Sequence, residues 1–210
     1  MVLTLRVVCP HVGSPYPRTV EALDLCLQGF CSEKLCVEYV NVAGSDTAYS
    51  ELVCDLWRQG SGFILCEHDV VPPDGALERF VECPEPLCAH PYAWVTNVGP
   101  ALGLNKFGAD LLAAYPRAAD EAASINGGFG PGSWRTFDYW LMRLVLEERY
   151  GVVPHLHLPP AEHLNPDKQL APQFAHLSLA EQLAKVGYRL AEDGLSAEWV
   201  GRPRRAVRPV

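Results

Sequence analysis

The chain has 210 residues, of which 49% are hydrophobic and 20% charged. This is the length of one domain, with enough apolar side chain for a packed core and no room for two full domains. Seventeen Lys and Arg against 25 Asp and Glu give a formal net charge of −8, which argues against a protein whose main business is coating nucleic acid, because phosphate neutralisation needs a basic surface, and leaves room for a local basic site.

Taken in chain order, the pattern alternates strands and helices without an internal repeat. Leu3 to Val8 is a short β-branched run and reads as a buried strand. It carries Arg6 and stops before Pro10, so it lacks the long apolar segment and cleavage site of a signal peptide. Residues 9–18, with three prolines, form a loop, and Thr19 caps a helix running to about Gly29. Leu35 to Val42 alternates as a second strand. Ser50 caps a helix from Glu51 to Gln59 that stops at Gly60. Gly62 to Cys66 is a third strand, apolar on both faces. Strand, helix, strand, helix, strand predicts a parallel sheet with helices packed on it.

The second half is less regular. Pro72-Pro73-Asp74-Gly75 is a turn before a short helix from Ala76 to Cys83. Tyr92 to Val98 and Ala101 to Phe107 read as strands, and Asp110 to Tyr115 as a short helix. Residues 116–133 read as a long loop containing the glycine-rich stretch 126–132. That stretch lacks the Gly-Lys-Ser or Gly-Lys-Thr of a phosphate loop and follows no strand, so a lid or acceptor loop is expected. Trp134 to Tyr150 is a helix closed by Gly151. Val152 to Leu158 is a strand ended by Pro159-Pro160. Four arginines (Arg202, Arg204, Arg205, Arg208) crowd a Pro-rich tail over 201–210, expected to be poorly ordered. No run approaches the roughly 20 apolar residues that span a bilayer, and a cytoplasmic protein is expected.

Eight cysteines stand at 9, 26, 31, 36, 54, 66, 83 and 88. Several lie inside apolar runs and read as buried thiols. Cys83 and Cys88 form the one pair with a metal-like spacing, a weak zinc signal with no second pair behind it.

Glu67-His68-Asp69, at the end of the third strand, is the sharpest chemical feature. Ligands of open α/β sheets bind beyond the carboxyl ends of the strands. Alternation puts Glu67 and Asp69 on one face and His68 on the other. Two carboxylates there are costly unless a cation compensates them, and hard oxygen ligands suit Mg²⁺ or Mn²⁺ with a phosphate-bearing substrate. The plainer reading is a turn cap or an arginine pair. His155 and His157 share a strand face, with His163 beyond, and any of the three can serve as a ligand. Asp138 flanks the apolar stripe of its helix, where a raised pKa would suit a general base; an ion pair with Arg135 is the simpler alternative. Trp134 and Trp140 offer stacking faces, although helical aromatics are mostly core. No Gly-x-Ser-x-Gly elbow appears.

This order resembles the nucleotide-binding half of GT-A glycosyltransferases over roughly residues 1–165. The resemblance rests on the first strand and Pro-rich loop, two β/α units, and an acidic triplet ending a buried strand. Glu67-His68-Asp69 stands where that family carries Asp-x-Asp. The segment Glu67 to Pro72, followed by Cys83, Cys88, Pro91-Tyr92 and Leu102-Gly103 with Lys106-Phe107, also looks like small glycosyltransferase-like proteins of actinobacteria and their phages.

The resemblance implies an α/β, Rossmann-like, mostly parallel sheet flanked by helices. It implies one catalytic domain over 1–200, with a nucleotide-binding half (1–70) and an acceptor and metal-site half (71–165). It further implies a nucleotide-sugar donor, an Mn²⁺ or Mg²⁺ ion on Asp69 with His157 and His163, and donor or acceptor contacts from Pro10, His11, Asn41, Glu67, Lys106 and Trp134. Asp138 becomes the base of an inverting transfer. The acceptor is left open between a modified nucleic acid, a small molecule and a protein, and a phage-encoded enzyme would work in the host cytoplasm. Two other classes compete: a metal-dependent hydrolase built on Asp69, His155, His157 and His163, and a non-catalytic nucleotide-binding module.

Overall fold

The computed structural model describes residues 5–28, 36–45, 47–94, 97–126, 137–165 and 172–202. Strand β1 (Arg6–His11) leads through helix α1 (Pro17–Gln28) to β2 (Val37–Asn41), and helix α2 (Ala48–Gln59) leads to β3 (Phe63–Cys66). β1 pairs in parallel with both β2 and β3. This is the parallel unit the hydrophobic pattern predicts, with helical crossovers of the kind parallel strands require. α2 starts earlier than expected, at Ala48 after Thr47, and the Ser50 hydroxyl donates to the Thr47 carbonyl inside the first turn. It ends at Gly60, whose φ of 69° is the left-handed conformation that glycine adopts without a Cβ penalty.

Beyond β3 the sheet is mixed. After a short β4 (Val70–Val71) and helix α3 (Ala76–Glu82) come β5 (Leu87–Ala89), a hairpin of β6 (Tyr92–Trp94) and β7 (Asn97–Gly99), and β8 (Leu104–Phe107). The stretch expected as one strand over 92–98 is this hairpin, with Tyr92 opposite Gly99. β8 runs antiparallel to β3 on one side and to β5 on the other. Helices α4 (Ala109–Ala114) and α5 (Ala118–Asn126) follow. α5 occupies half of what composition suggested was loop, and Ala118, Ala119 and Ala122 are small enough to pack flush against the core. The glycine-rich stretch falls outside the described residues, apart from the last residue of α5, as do Trp134, Arg135 and the tail from 203.

Helix α6 (Tyr139–Arg149) is wound with wide π-type turns and buries Trp140, Leu141, Met142, Val145 and Leu146. β9 (His155–His157) adds in parallel to β5. The segment after 160, on which the sequence pattern assigns no element, supplies β10 (Glu162–His163), helix α7 (Leu179–Lys185), β11 (Tyr188–Leu190) and β12 (Ser196–Trp199). Ser178 and Glu181 cap α7 reciprocally. The eight-stranded order is β11-β12-β9-β5-β8-β3-β1-β2, and β10 pairs antiparallel with β4.

Alternation sorts the strand residues onto two cores. Val8, Phe63, Leu65, Leu87 and Phe107 face α2, α5 and α6. Val7, Ile64, Cys66, Cys88 and Leu104 face α1 and α3. The described cysteines are all free thiols, five of them buried. No described helix is long and apolar enough to cross a membrane.

Candidate functional site: an acidic edge of the sheet

The carboxyl ends of β1, β2 and β3 lie side by side because the three strands are parallel and in register, with His11 opposite Asn41. The chain leaving β3 crosses back over β1, where the His68 N–H donates to the Pro10 carbonyl at 3.3 Å. Pro10, His11, Asn41 and the acidic triplet are therefore brought together at one edge. Asn41 is exposed there and accepts the Ala43 N–H through Oδ1. The Tyr16 N–H donates to the His68 carbonyl, and the two rings lie 5.8 Å apart.

Glu67 and Asp69 are only 5% and 6% exposed, and ionised groups at such depth must be compensated. Tyr49, from α2, donates its hydroxyl to Glu67 Oε1 at 2.9 Å. His163 Nε2 stands 3.5 Å from Asp69 Oδ2, placed there because β10 pairs with β4 and the Leu164 N–H donates to the Asp69 carbonyl. His163 Nδ1 accepts the Asn165 N–H at 3.1 Å. In a neutral imidazole this puts the ring proton on Nε2. His163 thus turns its Nε2–H side towards Asp69.

Asp138 reaches the same edge from the start of α6. Its Oδ1 accepts the Leu102 N–H at 2.9 Å, and the next carbonyl, that of Gly103, accepts the Glu67 N–H at 2.8 Å. Tyr92 is buried beside them, with its ring 5.2 Å from that of His163. Burial first, then the fields of Glu67 and Asp138, push the hydroxyls of Tyr49 and Tyr92 well above the usual phenol range. Both phenols stay protonated donors at the acidic edge. Cys9, on β1, is pushed up to about 12 by burial and then by Glu67 and Asp69. Each of these shifts has burial as its largest cause, and the carboxylates add to it in the same direction. Carboxylate oxygens are the donor type that suits Mg²⁺ or Mn²⁺, and Glu67 and Asp69 supply them here, whereas the Nε2 of His163, carrying its proton, is not a ligand atom.

No protein-family model and no curated protein matches this chain. Two solved structures are similar to it. One is a glycosyltransferase involved in the glycosylation of the major capsid of PBCV-1, at 12% identity over 74% of this chain and 82% of that one, with a TM-score of 0.48. The other is the glycosyltransferase GlyE of Streptococcus pneumoniae TIGR4, at 10% identity over 68% of this chain and 43% of that one, with a TM-score of 0.41. Identities this low do not reach the chemistry of a site, which has to be read from this chain's own residues.

Two expected site residues lie elsewhere. Lys106 is 6% exposed and turned towards α3, where its ammonium donates to the carbonyls of Phe80 (2.9 Å) and Cys83 (2.6 Å). It neutralises the negative end of that helix instead of reaching the acidic edge. His157 points to the same region, on the face of the sheet that carries Cys88. Among the described residues Asp69, His155, His157 and His163 do not assemble as one ligand set; the group of three in mutual reach is Cys83, Cys88 and His157. The sequence pattern does not single out Tyr49 or Tyr92 as site residues, since a lone tyrosine carries no signal until a carboxylate is found beside it.

Proposed function

We propose that this chain is a glycosyltransferase that takes a sugar from a nucleotide-sugar donor with the help of Mn²⁺ or Mg²⁺. The observation that carries the reading is the gathering of Glu67, Asp69 and Asp138 at the carboxyl ends of parallel strands, around two protonated tyrosines. The order and position of these motifs along the chain, and their resemblance to the GT-A pattern, give the substrate class. A divalent ion held at Asp69 would neutralise the diphosphate leaving group.

The protein's own residues do the rest. Pro10, His11 and Asn41 line the edge where the nucleotide would lie, Tyr49 holds Glu67, and His163 faces Asp69. The Leu102 N–H fixes Asp138, so that its carboxylate can take the acceptor hydroxyl's proton as the oxygen attacks the anomeric carbon. If the acceptor oxygen displaces the diphosphate in this one step, with no covalent glycosyl-enzyme, the anomeric centre is inverted.

The test is a thermal-shift screen of nucleotides and nucleotide sugars, with and without Mn²⁺, on wild type, Asp69→Ala and Asp138→Asn. Ligand bound only to the native state stabilises by about 2.7 kcal/mol at a hundredfold excess over Kd. Support is a Mn²⁺-dependent shift with one nucleotide diphosphate that Asp69→Ala loses and Asp138→Asn keeps. In that case Asp138→Asn should lower transfer by roughly 10² to 10⁴-fold. No shift with any nucleotide would overturn the reading.

A further inference from the structure

The face of the sheet under α3 holds a second group of ligands that the acidic edge does not use. Cys83 closes α3, Cys88 lies in β5 and His157 in the neighbouring β9. One ligand atom from each falls within 4.8 Å of the other two. Tetrahedral zinc with bonds of about 2.3 Å to sulfur and about 2.0 Å to nitrogen separates its ligand atoms by about 3.5–3.8 Å. The three atoms therefore need to close by no more than about 1.3 Å, a movement within side-chain reach. Cys88 and His157 are buried. His157 Nε2 is buried without a hydrogen-bond partner among the described residues, a cost that native interiors rarely leave unexplained.

We propose that Cys83, Cys88 and His157 bind one Zn²⁺ ion as a structural clamp, independent of the metal at Asp69. Thiolate and imidazole select zinc over the magnesium or manganese that suits the carboxylate edge. The ion replaces two thiol protons, which leave to solvent, so the two thiolates and the dication are neutral together. The buried ammonium of Lys106, bonded to the Cys83 carbonyl, adds a positive charge that favours both thiolates. Water takes the fourth position on the side of Cys83, the partly exposed ligand. The clamp joins the end of α3 to β5 and β9, two strands that follow it in sequence. It thereby fixes the segment that descends from the acidic triplet through β4.

The test uses the full chain, purified under reducing conditions and stripped with a chelator, then titrated with Co²⁺ as a spectroscopic stand-in for zinc. The expected result is a thiolate-to-cobalt charge-transfer band and the intense visible bands of tetrahedral cobalt, both saturating at one Co²⁺ per chain in this site and both abolished by Zn²⁺. Cys83→Ser, at a partly exposed position, should lose one of the two thiolates, with a weaker charge-transfer band and weaker binding. Asp69→Ala should leave the band unchanged. A cobalt spectrum without thiolate charge transfer in the reduced wild type would overturn the proposal. So would a band unaltered in both Cys83→Ser and His157→Gln, since another cysteine would then be the ligand.

Discussion

Asp138 and Glu67 are tied to adjacent residues of one turn: the Leu102 N–H holds Asp138 Oδ1, and the Gly103 carbonyl holds the Glu67 N–H. The turn can do this only because residue 103 has no side chain. A Cβ there would meet the Tyr92 ring at 2.5 Å and the Val70 side chain at 2.9 Å, and both are fully buried. Gly103→Ala should therefore destabilise the chain by about 1–3 kcal/mol through overpacking. It should also weaken the Mn²⁺-dependent nucleotide shift, because Glu67 and Asp138 move with the turn. Urea unfolding and the thermal-shift titration on the same variant check both halves. A stable Gly103→Ala with intact binding would show that the turn is not what places the acids.

Tyr49→Phe removes the hydroxyl that donates to Glu67 Oε1 in a buried site. A hydrogen bond to a charged group contributes about 1.5–3 kcal/mol, and the acceptor left behind stays buried. Stability should fall by that order in urea unfolding at pH 7. The loss should shrink in the double variant with Glu67→Gln, because the amide needs less compensation. Equal losses in the two backgrounds would place the effect in packing against Phe137, whose ring meets Tyr49 edge-on at 6.1 Å.

The edge was legible in the sequence to the extent that it depends on local order. Leu3–Val8, Leu35–Val42 and Gly62–Cys66 have the apolar patterns of parallel strands, and their carboxyl ends bring Pro10, His11, Asn41 and Glu67 together without any further assumption. What the sequence hides is pairing across long separations. The reversal of β8 between β3 and β5 depends on hydrogen bonding that no periodicity encodes, so the parallel pattern extrapolated past β3 becomes mixed. His157 and His163 carry the same residue type six positions apart, yet β9 adds to β5 while β10 adds to β4. One histidine goes to the cysteines and the other to Asp69. Lys106 reads as a donor or acceptor contact until its strand is seen to point it at the end of α3.

Lys106→Met separates those two roles. The ammonium satisfies the Phe80 and Cys83 carbonyls in a buried position, so its loss should leave both without a donor. An unsatisfied buried acceptor costs about 1–3 kcal/mol. The unfolding midpoint in urea should drop accordingly, while nucleotide affinity, read by the thermal shift relative to the variant's own apo Tm, should stay within about twofold, a few tenths of a kcal/mol. A selective loss of nucleotide binding at unchanged stability would return Lys106 to the donor site.

Acid should loosen the metal-free chain before its carboxylates titrate. Burial lowers His90 from 6.5 to about 3 and His157 from 6.5 to about 4, and nearby Arg79 adds to both shifts. His90 Nδ1 donates to the Pro159 carbonyl at 2.9 Å, which leaves Nε2 buried and able to charge only at high cost. In both cases the folded pKa lies below the unfolded one, so the unfolded chain binds more protons as pH falls. The stabilising contribution is complete above about pH 6.5. It then declines by about 1.4 kcal/mol per pH unit for each histidine, down to about pH 4 for His157 and about pH 3 for His90. Urea unfolding at intervals from pH 7.5 to 5, with a chelator present, should show stability falling below pH 6.5 with a slope near that of two protons. In His90→Asn, which keeps a donor for Pro159, the slope should approach that of one. A flat profile between pH 7 and 5 would mean that neither imidazole is held neutral by burial.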